Sequence, residues 1–211
     1  MPVLNRIMQF ITSKYLKFGD GEVWFGKEEV VIYFLSQAVR DLYYNLGQFG
    51  LDYGASMFLS AKTEGNNFVK NNIIPIKKIL TPVVTLSCEL ISSFGYGPIK
   101  TIKVDDKEGF MVLLGKSTIA NEYKKRHGPS AIPVDFLLGG LFSGALELFT
   151  NEKTYCVETR CSAQKDVEEC VWVIGNREKI LNYARQFSPE SIESAIETID
   201  LINKNEAILN V

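Results

Sequence analysis

The sequence predicts an α/β (α+β) fold in which an antiparallel sheet packs against helices, and three observations carry that prediction. Apolar residues recur at three- and four-residue spacing over Ala38–Leu46, Ala55–Ala61 and Ile192–Ile202, the period of a helix with one buried face. Two pairs of short strand-like runs lie close together, Ile99–Val104 with Phe110–Leu114 and Thr154–Cys161 with Cys170–Ile174, as hairpins require. The 211 residues are 46% hydrophobic and 23% charged, ordinary globular usage and enough to bury a core without disulfide staples.

In chain order, Leu4–Phe18 mixes a short helical pattern with a possible strand, Asp20-Gly21 is a turn, and Val23-Trp24-Phe25 is apolar. Val30–Phe34 reads as a short buried strand or a helix entry. From Ser36 the spacing is helical as far as the Gly47–Gly50 break, and a second helix follows that Gly65-Asn66-Asn67 is expected to end. Phe68–Ile91 reads as a third helix, kinked or split by Pro75 and Pro82. After the two strands of the first hairpin, His127-Gly128-Pro129-Ser130 reads as a loop. Val134–Phe149 is then a helix loosened by Gly139, Gly140, Ser143, Gly144 and Ala145. Each glycine costs about 1 kcal/mol relative to alanine, so such a helix implies close approach of another backbone or of a ligand. Ser188-Pro189-Glu190 caps a final amphipathic helix, whose apolar stripe packs on the core or forms a dimer seam.

Several function classes are set aside by composition. Net charge is −2 with signs interspersed, so no direct nucleic-acid partner is expected. The longest apolar stretch, Ile132–Thr150, is interrupted by Gly139, Gly140, Ser143, Gly144 and Glu147, so no membrane span is expected. Met1–Phe10 carries a single Arg and no small-residue cleavage site, which makes a cytoplasmic location the default. Gly115-Lys116-Ser117-Thr118 is not a phosphate loop, because the glycine needed five residues earlier is Phe110. His127, the single histidine, sits beside Lys124-Lys125-Arg126 and reads as a solvated loop residue. No catalytic residue is assigned.

Gly139-Gly140-Leu141-Phe142-Ser143-Gly144, followed by Tyr155-Cys156-Val157-Glu158-Thr159-Arg160-Cys161 and Cys170-Val171-Trp172-Val173, resembles the 4-vinyl reductase domain. Gly115–Tyr123 is similar to that family's strand-to-loop segment, and Leu46-Gly47 with Tyr53-Gly54-Ala55-Ser56 more loosely to its first helices. The strongest likeness covers residues 110–175. The resemblance implies a ligand-binding domain over residues 1–180, with residues 188–205 as a closing helix of the same domain or a dimer seam. It also implies a fold shared with vesicle-tethering TRAPP subunits, a small hydrophobic or aromatic ligand, a homodimer, and zinc held by Asp135, Glu158, Cys161 and Cys170. Asp135 stands where the family has cysteine, eight residues separate Cys161 from Cys170 where seven is usual, and the family's turn glycine is missing from Ser162–Glu169. Zinc accepts carboxylate oxygen, so Asp135 can serve.

Bland readings stand beside these. The cysteines Cys161 and Cys170 can be reduced, half-buried strand residues or a hairpin disulfide instead of metal ligands, and Cys156 is a rival fourth ligand. Asp135 can be a carboxylate meeting a helix N-terminus. The aromatics Tyr43, Tyr44, Phe49, Tyr53, Phe58 and Phe68 are core by default, but Phe136, Gly140, Phe142, Gly144, Tyr53 and Phe58 are the expected pocket set. Three functions follow: a small-molecule sensor acting on an unknown protein partner, a TRAPP-like scaffold dimer without ligand, and a tetrapyrrole-related reductase component. The last has no dinucleotide fingerprint behind it.

Overall fold

The two hairpins join into one sheet. The computed structural model describes residues 16–19, 22–25, 28–30, 35–73, 80–186 and 189–209. In the larger of two units, Val39–Val211, β4 (Ile99–Asp105), β5 (Phe110–Gly115), β6 (Tyr155–Arg160) and β7 (Cys170–Gly175) form an antiparallel sheet in the order β4-β5-β7-β6. The register sets Leu113, Trp172 and Glu158 in one row across three strands, and Val112, Val173 and Val157 in the row behind it on the other face. All three valines are buried. Burial on both faces explains why Met111-Val112-Leu113-Leu114 and Val171-Trp172-Val173-Ile174 read as continuous apolar runs.

The smaller unit, Met1–Ala38, contains β1 (Leu16–Gly19), β2 (Glu22–Phe25) and β3 (Glu28–Val30), an antiparallel meander pairing Lys17 with Trp24 and Val23 with Val30. The readings of Leu4–Tyr15, Asp20-Gly21, Val31–Phe34, Pro75 and Ser188 lie outside the described residues.

Seven α-helices occur among the described residues: α1 (Leu35–Phe49), α2 (Leu51–Phe68), α3 (Leu80–Ile91), α4 (Thr118–His127), α5 (Phe136–Thr150), α6 (Arg177–Ala184) and α7 (Pro189–Leu209). The small residues of α5 let α2 lie directly against it: a Cβ on Gly140 would overlap the carbonyl oxygen of Phe58, and one on Gly144 that of Lys62. Backbone approach is therefore the reason for the glycines. The same contact corrects one expectation. Gly65-Asn66-Asn67 does not end the second helix, because Gly65 makes room for the Leu141 carbonyl and α2 continues to Phe68 and into a wider turn over Val69–Ile73.

Two helices replace expected loops or went unanticipated. Residues 118–127 form α4, capped by Ser117, whose side chain accepts the Ala120 N–H; His127 is its last residue and stacks on Tyr43 at 3.8 Å. The short α6 is capped the same way by Asn176 accepting from Lys179.

A buried polar knot locks α2, α5 and the start of β6. Lys62 Nζ donates to the Thr154 carbonyl (2.9 Å) and pairs with Glu147 Oε2 (2.6 Å), while Thr154 Oγ1 donates to the Ser143 carbonyl (2.7 Å). The closing helix packs on the core: Ala195, Ile199 and Ile202 of α7 are buried. Its C-terminal half is tied down by Tyr155 donating to Asn203 Oδ1 (2.9 Å) and by Asn205 donating to Asp52 Oδ1 (3.1 Å).

Candidate ligand cavity and metal cluster

Strands β6 and β7 place the chemistry. Glu158 and Trp172 are directly opposite each other, and Cys170, two residues before Trp172, shares their face. Cys161 lies three residues from Glu158, which in a regular strand would put it on the opposite face. The register instead shifts at Thr159, so that Glu158 pairs with Trp172 and Arg160 with Val171. This extra residue is a β-bulge, and it returns Cys161 to the Glu158 side. A turn then fixes Cys161: its N–H donates to Gln164 Oε1 (3.0 Å), and its carbonyl accepts from the Gln164 N–H (2.9 Å).

The outcome is a close-set trio. A carboxylate oxygen of Glu158 and the sulfurs of Cys161 and Cys170 all lie within 4.8 Å of one another. All four cysteines are buried and none is disulfide-bonded. Asp135 stands outside this trio, but its backbone N–H donates to Glu158 Oε2 (3.3 Å). It is also the N-cap of α5, with Oδ1 accepting from the Leu138 N–H (3.2 Å). One oxygen of each carboxylate is left over: Asp135 Oδ2 and Glu158 Oε1 are buried without any partner.

Electrostatics reflect this crowding. Burial pushes the Asp135 carboxyl up to about 7, a rise opposed by the Ser117 hydroxyl and reinforced by charge on Cys170. Burial, followed by the charges of Cys170 and Asp135, holds Glu158 well above the usual carboxylate range. A hydrogen bond from Cys161 brings Cys170 down to about 5 and drives Cys161 upward, so the two sulfurs share one proton between a thiolate and a thiol. Cys170 Sγ also accepts from the Ser162 N–H at 3.2 Å. Two sulfurs with leftover carboxylate oxygens are a donor set that zinc takes.

A cavity of about 160 Å³ adjoins the cluster. Its inner wall is Cys156, Glu158 and Trp172 of the sheet, with Asp135, Phe136 and Gly139 from the start of α5. Ala55 and Phe58 of α2, Ile132 and Pro133, and Leu201 and Ile202 of α7 enclose the rest. Leu51, Ser194 and Glu197 are exposed lining residues, so the mouth lies between the start of α2 and α7. The lining is mostly apolar.

Of the residues singled out from sequence, Glu158, Cys161 and Cys170 come together, and Asp135 borders both trio and cavity. Phe58 and Phe136 line the cavity. Gly140 and Gly144 face α2 instead, Phe142 is fully buried, and Tyr53 is not in the lining. Cys156 lines the cavity and is not part of the trio. Trp172 and the wall contributed by α7 were not anticipated. Strand alternation from Cys170 was the available signal for Trp172.

These elements define a fold class that recurs among solved structures: eleven chains match this one. One of them is the phenol-responsive sensory domain of the transcription activator PoxR, crystallised with phenol, at a TM-score of 0.70 and 12% sequence identity over 85% of this chain and 92% of that one. At that identity the likeness shows the fold. No protein-family model matches the chain, and no curated protein sequence does.

Proposed function

We propose that Val39–Val211 is a small-molecule sensor module of the 4-vinyl reductase kind, taking a small apolar or one-ring aromatic ligand in the cavity beside the metal cluster. One observation carries this reading: Asp135 and Glu158 are cavity wall, and each also has a buried oxygen with no partner. A ligand pressing on the wall therefore presses on the cluster. The volume, about 160 Å³, suits one ring; an engineered apolar cavity of about 150 Å³ accepts benzene. The fold of a phenol-responsive sensory domain supports the same class.

Zinc fits the residues present. Glu158, Cys161 and Cys170 would hold it, with Asp135 Oδ2 as fourth ligand while Oδ1 keeps its capping bond. Bound there, it supplies a closed structural cross-link and no open coordination position. The cross-link joins the start of α5, the end of β6 and the start of β7, three pieces of the cavity wall. Output passes to a separate protein partner, and reduced buried thiols agree with a cytoplasmic setting.

Elemental analysis and calorimetry test this reading. One zinc per chain, lost in Cys161→Ser, together with stabilisation by phenol or toluene, is the expected result. Fully folded, metal-free protein indifferent to both compounds would sink it. A second reading, a scaffold dimer, draws on Tyr44, Phe49 and Leu51, which are 63%, 62% and 43% exposed. Light scattering coupled to gel filtration gives twice the 211-residue mass if the chain pairs, and Phe49→Glu with Tyr44→Glu returns it to a monomer.

A further inference from the structure

We propose that the ligand of this cavity is a neutral molecule carrying a hydrogen-bond acceptor, a carbonyl or ether oxygen, and that the indole N–H of Trp172 reads it. This rests on the cavity being the ligand site, and goes on to name the polar group that a ligand there must bring.

Trp172 is 0% exposed, lines the cavity, and has an Nε1–H with no acceptor. Indole is a donor only, and a buried donor left unpaired is costly. Its neighbours across the sheet offer nothing: Leu113 on one side is apolar, and Glu158 on the other does not take the proton, because Glu158 Oε1 is itself without a partner and Oε2 is engaged by Asp135. A metal ion would satisfy the leftover oxygens of Glu158 and Asp135. It cannot satisfy an N–H. Trp172 thus remains the one polar group of the described inner wall that only an incoming acceptor can complete.

Charge narrows the class further. Asp135, Glu158 and Glu197 line the cavity, and among the described residues neither Lys, Arg nor His does. An anionic ligand would meet carboxylates with no counter-charge. A pure hydrocarbon would fit the volume but leave the indole unpaired. A site built around a donor discriminates strongly against the analogue lacking the acceptor.

Acetophenone and α-methylstyrene separate the possibilities, since they share one shape and differ by C=O against C=CH₂; benzoate adds the anion. Titrated into the purified full-length chain, acetophenone is expected to bind about tenfold more tightly than α-methylstyrene, and benzoate weakest. Acetophenone should shift one of the two indole N–H resonances, the one absent from Trp172→Phe, downfield of its position with α-methylstyrene bound, as a new hydrogen bond does. In Trp172→Phe the affinity ratio falls to near one while α-methylstyrene still binds. Equal affinities in the wild type, a Trp172 resonance no further downfield than with α-methylstyrene, or a ratio unaltered by the substitution overturns the proposal and leaves the apolar-ligand reading intact. Failure of both neutral probes to bind removes the cavity reading itself, and this proposal with it. Should Trp172→Phe not fold, the wild-type ratio and indole shift decide alone.

Discussion

Raising the pH on metal-free protein should weaken the fold, and replacing Asp135 by asparagine should remove the share of that effect that Asp135 contributes, leaving the share of Glu158. Asp135 is 2% exposed, and burial lifts its carboxyl from an ordinary 3.8 to about 7. Below pH 4 the side chain is protonated in both folded and unfolded chains and costs nothing. Between about 4 and 7 the folded chain holds a proton that the unfolded chain has released, so stability falls as pH rises; above about 7 the loss is complete. At about 1.4 kcal/mol per tenfold change in ionisation, the full span amounts to about 4 kcal/mol. With an m-value of roughly 2–3 kcal/mol/M in urea, that is about 1.5–2 M in the unfolding midpoint. Cys170, held down to about 5, contributes with the opposite sign at higher pH, so the informative quantity is the difference between wild type and Asp135→Asn. Asparagine keeps the cap on α5, which limits the substitution to the charge. Urea titrations at pH 5, 6, 7 and 8 in a chelator measure it. Bound zinc competes with protons for the same ligands and reverses the slope. Equal pH dependence in the two metal-free proteins would refute the reasoning.

Three further outcomes follow from packing and pairing. Gly144→Val must push α2 off α5, because a Cβ there already overlaps the Lys62 carbonyl; a loss of about 3 kcal/mol and roughly 6–12 °C in Tm is expected by calorimetry. Glu147→Gln takes the counter-charge from buried Lys62 and leaves it neutral acceptors alone, for a loss of about 2–3 kcal/mol that Lys62→Met in the same background partly restores. Tyr155→Phe deletes the bond to Asn203 on α7 and should cost about 1 kcal/mol in urea unfolding, or less if Lys153, which also donates to Asn203, takes up the slack.

The sequence was most legible where a signal repeats within a few residues. Alternation over Ile99–Val104, and the paired runs ending at Cys161 and beginning at Cys170, sufficed for the hairpins. The helices α4 and α6 escaped because each buries only two residues, Ala120 with Tyr123 and Ile180 with Ala184, too few for a period to stand out. Their caps, Ser117 and Asn176, were readable all the same. Gly65-Asn66-Asn67 misled because a glycine that serves a neighbouring helix looks the same as one that ends its own. The same ambiguity surrounded Gly140 and Gly144: spacing shows that something comes close, and only the fold shows that it is α2 and not a ligand. The contribution of α7 to the cavity joins residues more than 130 positions apart, Ala55 and Leu201 among them, and no local pattern encodes that meeting.

The bulge at Thr159 makes the chain's count of residues matter in an unusual way. Between Glu158 and Cys161 either of two counts serves: three residues with the bulge, or two in a regular strand, where alternation alone would set the cysteine on the Glu158 face and opposite Cys170. Drift here is therefore free to lose the extra residue together with the bulge and barred from straightening the strand alone, which would turn the Cys161 sulfur toward the row of Val157 and Val173.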